Sequence, residues 1–211
     1  MSDHDVHVDI ATDMTLLRQA MELRIHVFGG EYGYGRDKEV DALDHISIPL
    51  VLRHREDELW GVMRVIPFPV PEVPPCFYEA DRIRTMPVLP GSERSVDDML
   101  AYLCSQQTVQ QDERGAIVLS GIKLGRIAIP APLRGRGIGR TFMALVEAWA
   151  TSVLQPYAQR YAPQAVYATV QLTAQSVSKG FYEQLGYVAT SDEFILLSQP
   201  HVWYAKRLPL L

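Results

Sequence analysis

Three glycines fall at alternate positions in Arg134-Gly135-Arg136-Gly137-Ile138-Gly139, ahead of a helical pattern. Glycine adds nothing to a core and costs backbone entropy, so such a run serves another purpose. It leaves a bare backbone whose N–H groups can close on a ligand where a helix begins and the dipole favours negative charge. The two arginines in the run point to phosphate, and Arg140 stands just beyond. A phosphorylated cofactor is therefore expected here.

Three nucleotide-type readings of the run differ in what must surround it. A Walker A loop ends in Gly-Lys-Ser/Thr, whereas this chain has Gly139-Arg140-Thr141 with the wrong upstream spacing. A dinucleotide turn needs glycine directly after its strand, a third glycine where Arg140 stands, and an acidic residue ending the next strand. Here Pro130-Ala131-Pro132-Leu133 intervenes and the next strand ends in Gln171. A helix start that merely packs tightly is a poor use of glycine and arginine together.

The remaining reading rests on two motifs. Arg134-x-x-Gly137-x-Gly139, five residues after the strand-final Ile129, resembles the acetyl-coenzyme A loop of the GNAT N-acetyltransferase superfamily. About fifty residues on, Phe181-Tyr182-Glu183-Gln184-Leu185-Gly186-Tyr187 resembles that superfamily's Phe-Tyr-x-x-x-Gly-Phe/Tyr helix ending. Further segments are similar to its ElaA-like branch: Leu23-Arg24-x-x-Val27-Phe28, Glu31, Glu39-Val40-Asp41-x-Leu43-Asp44, Gly125-Arg126-Ile127, Leu172-x-Ala174-Gln175 and Pro200-His201-Val202. The resemblance spans most of residues 12–66 and 122–207. It departs at Pro130 and Pro132, which flank the usual proline position, and at Gly29-Gly30, which replace a bulkier pair.

The resemblance implies an acetyl-CoA-dependent N-acetyltransferase acting on a primary amine or a lysine-bearing acceptor. It implies a GNAT fold of the α/β (α+β) class, with a mixed central sheet of six to seven strands flanked by helices. Ile127, Ala128 and Ile129 would pair with the pantetheine arm, and Arg134, Gly135, Arg136, Gly137, Ile138, Gly139 and Arg140 would hold the pyrophosphate. Gln175 would hydrogen-bond the pantetheine amide. A backbone N–H near Ile129 would face the oxyanion, and Tyr182 would be the general acid. Glu31 is the first choice for general base, with Asp41, Asp44, His201 and a water chain in reserve. A homodimer is expected and no metal is.

The residues alone place Gln175, Ser178 and Tyr182 on one polar helix face, opposite Val177-Phe181-Leu185. Two further functions stay open: a non-catalytic CoA or acyl-CoA-binding sensor or adaptor of the same fold, and transfer of a longer acyl group. The acceptor is open as well. The acidic string Glu31, Asp37, Glu39, Asp41 and Asp44 suits a cationic amine and equally a solvated face.

These residues need a scaffold, and 211 residues, 47% of them hydrophobic, suffice for one domain over 1–211 with an insertion at about 67–120. That insertion opens with a stretch, 67–90, holding half of the 14 prolines, which makes it irregular or edge-like. A net charge of −5 argues against nucleic acid. No apolar run approaches the roughly 20 residues of a membrane span. The opening Met1-Ser2-Asp3-His4-Asp5 is the reverse of a secretory signal, so an intracellular, cytoplasmic protein is expected. Cys76 and Cys104, and the scattered His4 and His7, give no metal-ligand spacing.

The predicted elements are a strand over 6–10, a helix capped by Thr12 or Asp13 and stopped by Gly29-Gly30, and a hairpin over 48–52 and 59–66 through Arg55-Glu56-Asp57-Glu58. A helix capped by Ser95 follows, then strands over 117–120 and 122–129. After the glycines, Phe142, Val146, Trp149 and Val153 mark an amphipathic helix. A strand over 166–170, a helix over 174–185 and two closing strands over 194–197 and 202–206 complete the order.

Overall fold

Alternating apolar residues make Val6–Ile10 a strand, β1, antiparallel to β2 (Ile48–His54), which pairs in turn with β3 (Glu58–Pro67). The computed structural model describes residues 6–55 and 58–210, so His4 and the turn residues Glu56 and Asp57 lie outside it. The described residues form two compact units, one of residues up to 66 with 72–102 and 126–146, the other of 67–71, 103–125 and 147–210.

In the first unit, Asp13 accepts the N–H groups of Thr15 and Leu16, both at 2.9 Å, and so starts helix α1 (Met14–Arg24) as its sequence signal predicts. Leu17, Ala20, Met21 and Arg24 are its buried face. Glycine does not stop the helix at position 29. The coil widens into a π-helical segment, Ile25–Glu31, that carries both glycines. Helix α2 (Ala80–Thr85) has its last carbonyls capped by Arg18, which donates to Ile83 and Met86. Ser95 and Asp98 cap helix α3 (Val96–Ser105) reciprocally. Leu17, Met21, Val40, Val51, Val62 and Ile83 form the core of this unit.

Helix α4 (Ile138–Tyr161) buries Phe142, Met143, Val146, Ala150 and Leu154, with Trp149 and Val153 at the edge of the stripe. Gly61 lets Phe142 approach: a Cβ there would lie 3.2 Å from the ring.

In the second unit the predicted pair of strands over 117–129 is one strand, β5 (Ile117–Ala128), bulged at Gly121. Gly121 has φ +79°, and a Cβ would sit 1.9 Å from the Thr169 carbonyl oxygen, so only glycine fits. Gln107 locks the bulge, accepting from the Gly121 N–H (2.8 Å) and donating to its carbonyl (3.0 Å). Strand β6 (Tyr167–Gln175) runs parallel to β5 and pairs along its whole length with antiparallel β9 (Gln199–Pro209). Short strands β4 (Val109–Gln111), β7 (Val188–Ala189) and β8 (Phe194–Leu196) pair with β5, β9 and β9 respectively. The class is α/β with a mixed sheet, as expected. The described residues form nine strands rather than six or seven, three of them only two or three residues long.

The helix predicted over 174–185 is a correction. Strand β6 runs on to Gln175, a single 3-10 turn covers Ser176–Ser178, and helix α5 is only Lys179–Gln184. Strand alternation, with Ala168, Val170, Leu172 and Ala174 inward, outlasts the sequence's change of pattern. Gln175 and Tyr182 therefore share no helix face.

Candidate functional site

The glycine run leads from strand β5 into helix α4. Beyond β5, a 3-10 turn (Ala131–Leu133) closes through Leu133 N–H to Pro130 O (2.9 Å) and Arg134 N–H to Ala131 O (3.1 Å). Gly135 (φ +73°) and Gly137 (φ +82°) then take left-handed conformations, with no atom within 4 Å of where a Cβ would stand. Helix α4 starts at once, so its first-turn N–H groups have no intrahelical partner. An exposed, unobstructed peptide edge at the positive end of a 24-residue helix suits a phosphate group. The exposed Arg136 and Arg140 flank it.

Arg134 is engaged by neighbouring groups of the chain itself. Its guanidinium donates to the Ile129 carbonyl (2.8 Å) and to Glu31 (2.5 Å), and lies 5.1 Å from the Tyr32 ring centroid. The other Glu31 oxygen accepts the Ala131 N–H at 3.2 Å and lies 3.5 Å from His26 Nε2. Glu31 thus holds both ends of the turn leading into the glycines. It belongs to the π-helical segment itself rather than following it. No sequence signal joins residues a hundred positions apart, and Tyr32 was missed for the same reason.

The acidic string does not make a solvated face. Arg24 grips Asp44 at 2.6 and 3.2 Å, and Arg64 reaches Asp41 at 2.6 Å and Asp44 at 3.2 Å. Arg126 contacts Glu39 and Asp41, each at 3.2 Å. Arg24, Glu39, Asp44 and Arg64 are buried. Arg126, which reaches this cluster, has φ +52°, a strained backbone conformation for a residue other than glycine. Burial alone would raise the Asp44 carboxyl, but Arg24 and Arg64 outweigh it and hold the group below the usual carboxylate range. Glu39 goes the other way: burial raises it despite Arg126, Arg24 and Arg64. Asp41 and Asp44, held in reserve as bases, are thus bound into an ion network. Arginines inside apolar strands such as Val62-Met63-Arg64-Val65-Ile66 were the signal that could have found it, since a buried cation needs partners.

In the second unit, Gln175 ends β6 opposite His201 of β9. Tyr182 is 8% exposed, its ring 5.9 Å from Tyr187 and 5.7 Å from Tyr204. Val177 and Phe181, expected inside, are the exposed residues. Burial and the Glu147 carboxylate push the Tyr187 hydroxyl well above its ordinary value. His201 donates through Nδ1–H to the Gln199 carbonyl oxygen at 2.9 Å. Among the described residues no three His, Cys, Asp or Glu side chains gather as a metal site, and no helix is long and apolar enough to cross a membrane.

No protein-family model matches the chain, and no curated protein does. Solved structures do. A Lactobacillus plantarum protein assigned, without being established, as an N-acetyltransferase superposes with a TM-score of 0.60 at 20% identity, over 97% of this chain and 99% of its own. An acyl-CoA N-acyltransferase from Pseudomonas aeruginosa follows at 0.53 and 18%, over 96% and 98%. The CoA-dependent acyl-homoserine lactone synthase BjaI gives 0.56 and 17%, over 96% and 82%. The fold is that of the GNAT acyltransferases.

Proposed function

We propose that this chain, on the fold it shares with those acyltransferases, moves an acetyl group from acetyl-CoA to a primary amine. The observation that carries the reading is the pair of left-handed, unobstructed glycines opening α4. Bound acetyl-CoA would supply the electrophilic acyl carbon. The loop N–H groups of 135–140 hold its diphosphate, and the backbone of Ile127–Ile129 aligns its pantetheine arm. A backbone N–H near Ile129 receives the charge developing on the thioester oxygen. The amine nitrogen bonds to the acyl carbon as the carbon–sulfur bond breaks; Tyr182 gives its proton to the departing thiolate, and the proton shed by the nitrogen passes along a water chain to restore the tyrosine. Gln175 hydrogen-bonds the pantetheine amide.

The decisive experiment pairs calorimetric titration of acetyl-CoA with thiol release across an amine panel. Binding with turnover supports the transferase; binding without turnover on any amine supports a sensor or adaptor of the same fold. The likeness to a CoA-dependent acyl-homoserine lactone synthase favours running propionyl- and succinyl-CoA beside acetyl-CoA.

Tyr182→Phe is expected to lower kcat at least tenfold, within the roughly 10²–10⁴-fold worth of a positioned proton donor. The dissociation constant for acetyl-CoA should hardly change. Unaltered turnover would make Tyr182 part of the aromatic packing only.

For Glu31 we propose bracing rather than proton transfer, because both its oxygens are spent on the turn that carries the loop. Glu31→Gln keeps the shape and removes the ion pair with Arg134. The expected result is a several-fold weaker coenzyme A affinity with a pH–rate profile superimposable on the parent's. Loss of the acidic limb of that profile, where a general base becomes protonated, would restore Glu31 as general base.

A further inference from the structure

We propose that a cavity beside the π-helical segment is the acceptor pocket and takes an amine that also carries an anionic group, a carboxylate or a phosphate. The inference rests on the acyl-transfer reading above and names the substrate class.

A cationic acceptor would need free carboxylates, and in the acidic string only the exposed Asp37 is left without a cation among the described residues. Glu39, Asp41 and Asp44 are bound to arginines, Glu31 is bound to the loop, and Asp37 accepts the Ala80 N–H at 3.2 Å.

The cavity has the opposite character. It measures about 290 Å³ and is lined by Glu22, Ile25, His26, Gly30, Arg36 and Arg84. Arg84 leans on Glu22 (3.8 Å) and Asp81 (3.4 Å), whereas no carboxylate among the described residues pairs with Arg36. Arg36 is also seated by design of the backbone. A Cβ on Gly29 would stand 2.8 Å from Arg36 Cγ and 2.9 Å from its Cα, so only glycine lets this arginine lie across the turn. Gly30 keeps the space open, its nearest neighbour being His26 Nδ1 at 3.8 Å from a Cβ. Both glycines at 29 and 30 thereby gain a purpose that helix termination did not give them.

The cavity also adjoins the donor loop. His26, on its wall, is 3.5 Å from the same Glu31 oxygen that accepts the Ala131 N–H. Its volume lies at the small end of ligand pockets, which fits a molecule of amino-acid size and not a long peptide or an oligosaccharide. Arg36 would meet the anionic group with charge-assisted hydrogen bonds, leaving the amine to face the thioester.

The test uses matched acceptors that differ in the anionic group alone: glycine against glycinamide for carboxylate, and phosphoethanolamine against ethanolamine for phosphate. With acetyl-CoA as donor, kcat/KM should be at least tenfold higher for the anionic member of one pair, and which pair responds identifies the group. Arg36→Gln should cut that preference about fivefold, the scale of a partly exposed ion pair, with coenzyme A affinity unchanged. Gly30→Leu should raise KM for every acceptor, again without touching coenzyme A. Equal use of both members, preference for the uncharged member, or an Arg36→Gln ratio equal to the parent's would overturn the inference. So would neither turnover nor calorimetric binding of either anionic member. Failure of the parent protein to bind coenzyme A at all is a distinct result, and would remove the donor reading on which the acceptor pocket depends.

Discussion

Gly137→Val should raise the dissociation constant for coenzyme A at least a hundredfold, which corresponds to about 2.7 kcal/mol of binding free energy. Two effects add. At φ +82° a β-branched residue is a backbone outlier, so the loop must leave its observed shape to accept valine. The new methyl groups would also project into the open side where a diphosphate must approach the peptide N–H groups. Because Gly137 is exposed and outside any core, the melting temperature should fall by only a few degrees. Calorimetric titration beside a thermal melt separates the two. A folded variant that binds within threefold of the parent would show that this loop is not the phosphate grip.

The other large effect is on stability. Asp44→Asn keeps the size of the side chain but leaves Arg24 and Arg64 facing each other across a neutral amide in a buried site. Breaking a buried ion pair from one side costs about 3–5 kcal/mol, much of it the penalty of the stranded charge. Urea denaturation should show that loss at neutral pH. Its pH dependence has a definite sign. The folded Asp44 carboxyl lies below its unfolded value, near about 3.9, so its contribution is complete above that value and fades as pH falls through the folded one. The gap between parent and variant should therefore narrow in strong acid. Glu39, raised by burial, works in reverse: its contribution declines as pH rises from the unfolded carboxylate range through the folded value. A loss below 1 kcal/mol at pH 7 would mean that the network carries little of the fold's stability.

Much of the scaffold was legible because its signals are local. The Asp13 and Ser95 caps, the hairpin through residue 55, the apolar stripe of α4 and the glycine loop each depend on residues within a few positions of one another. The phase of helix α5 was misjudged because Phe181 and Leu185 recur at helical spacing, while two residues of strand and one 3-10 turn before Lys179 rotate the outcome. That rotation moved Tyr182 from a supposed polar face into a cluster of tyrosines. The ion network and the Glu31–Arg134 brace are properties of chain topology: they join residues 20 to 103 positions apart, and no window of sequence holds both partners. An acidic string looks the same whether it meets water or arginine.

The division between buried and surface charge makes dissolved electrolyte a selective instrument. Counter-ions at 0.1 M damp attraction between exposed groups beyond about 10 Å but scarcely touch pairs shut away from solvent. Arg24, Arg64 and their carboxylates are of the second kind, whereas Arg36 and Arg84 are of the first. Sodium chloride would thus tune the pull on an incoming metabolite while leaving the framework that shapes its berth almost untouched.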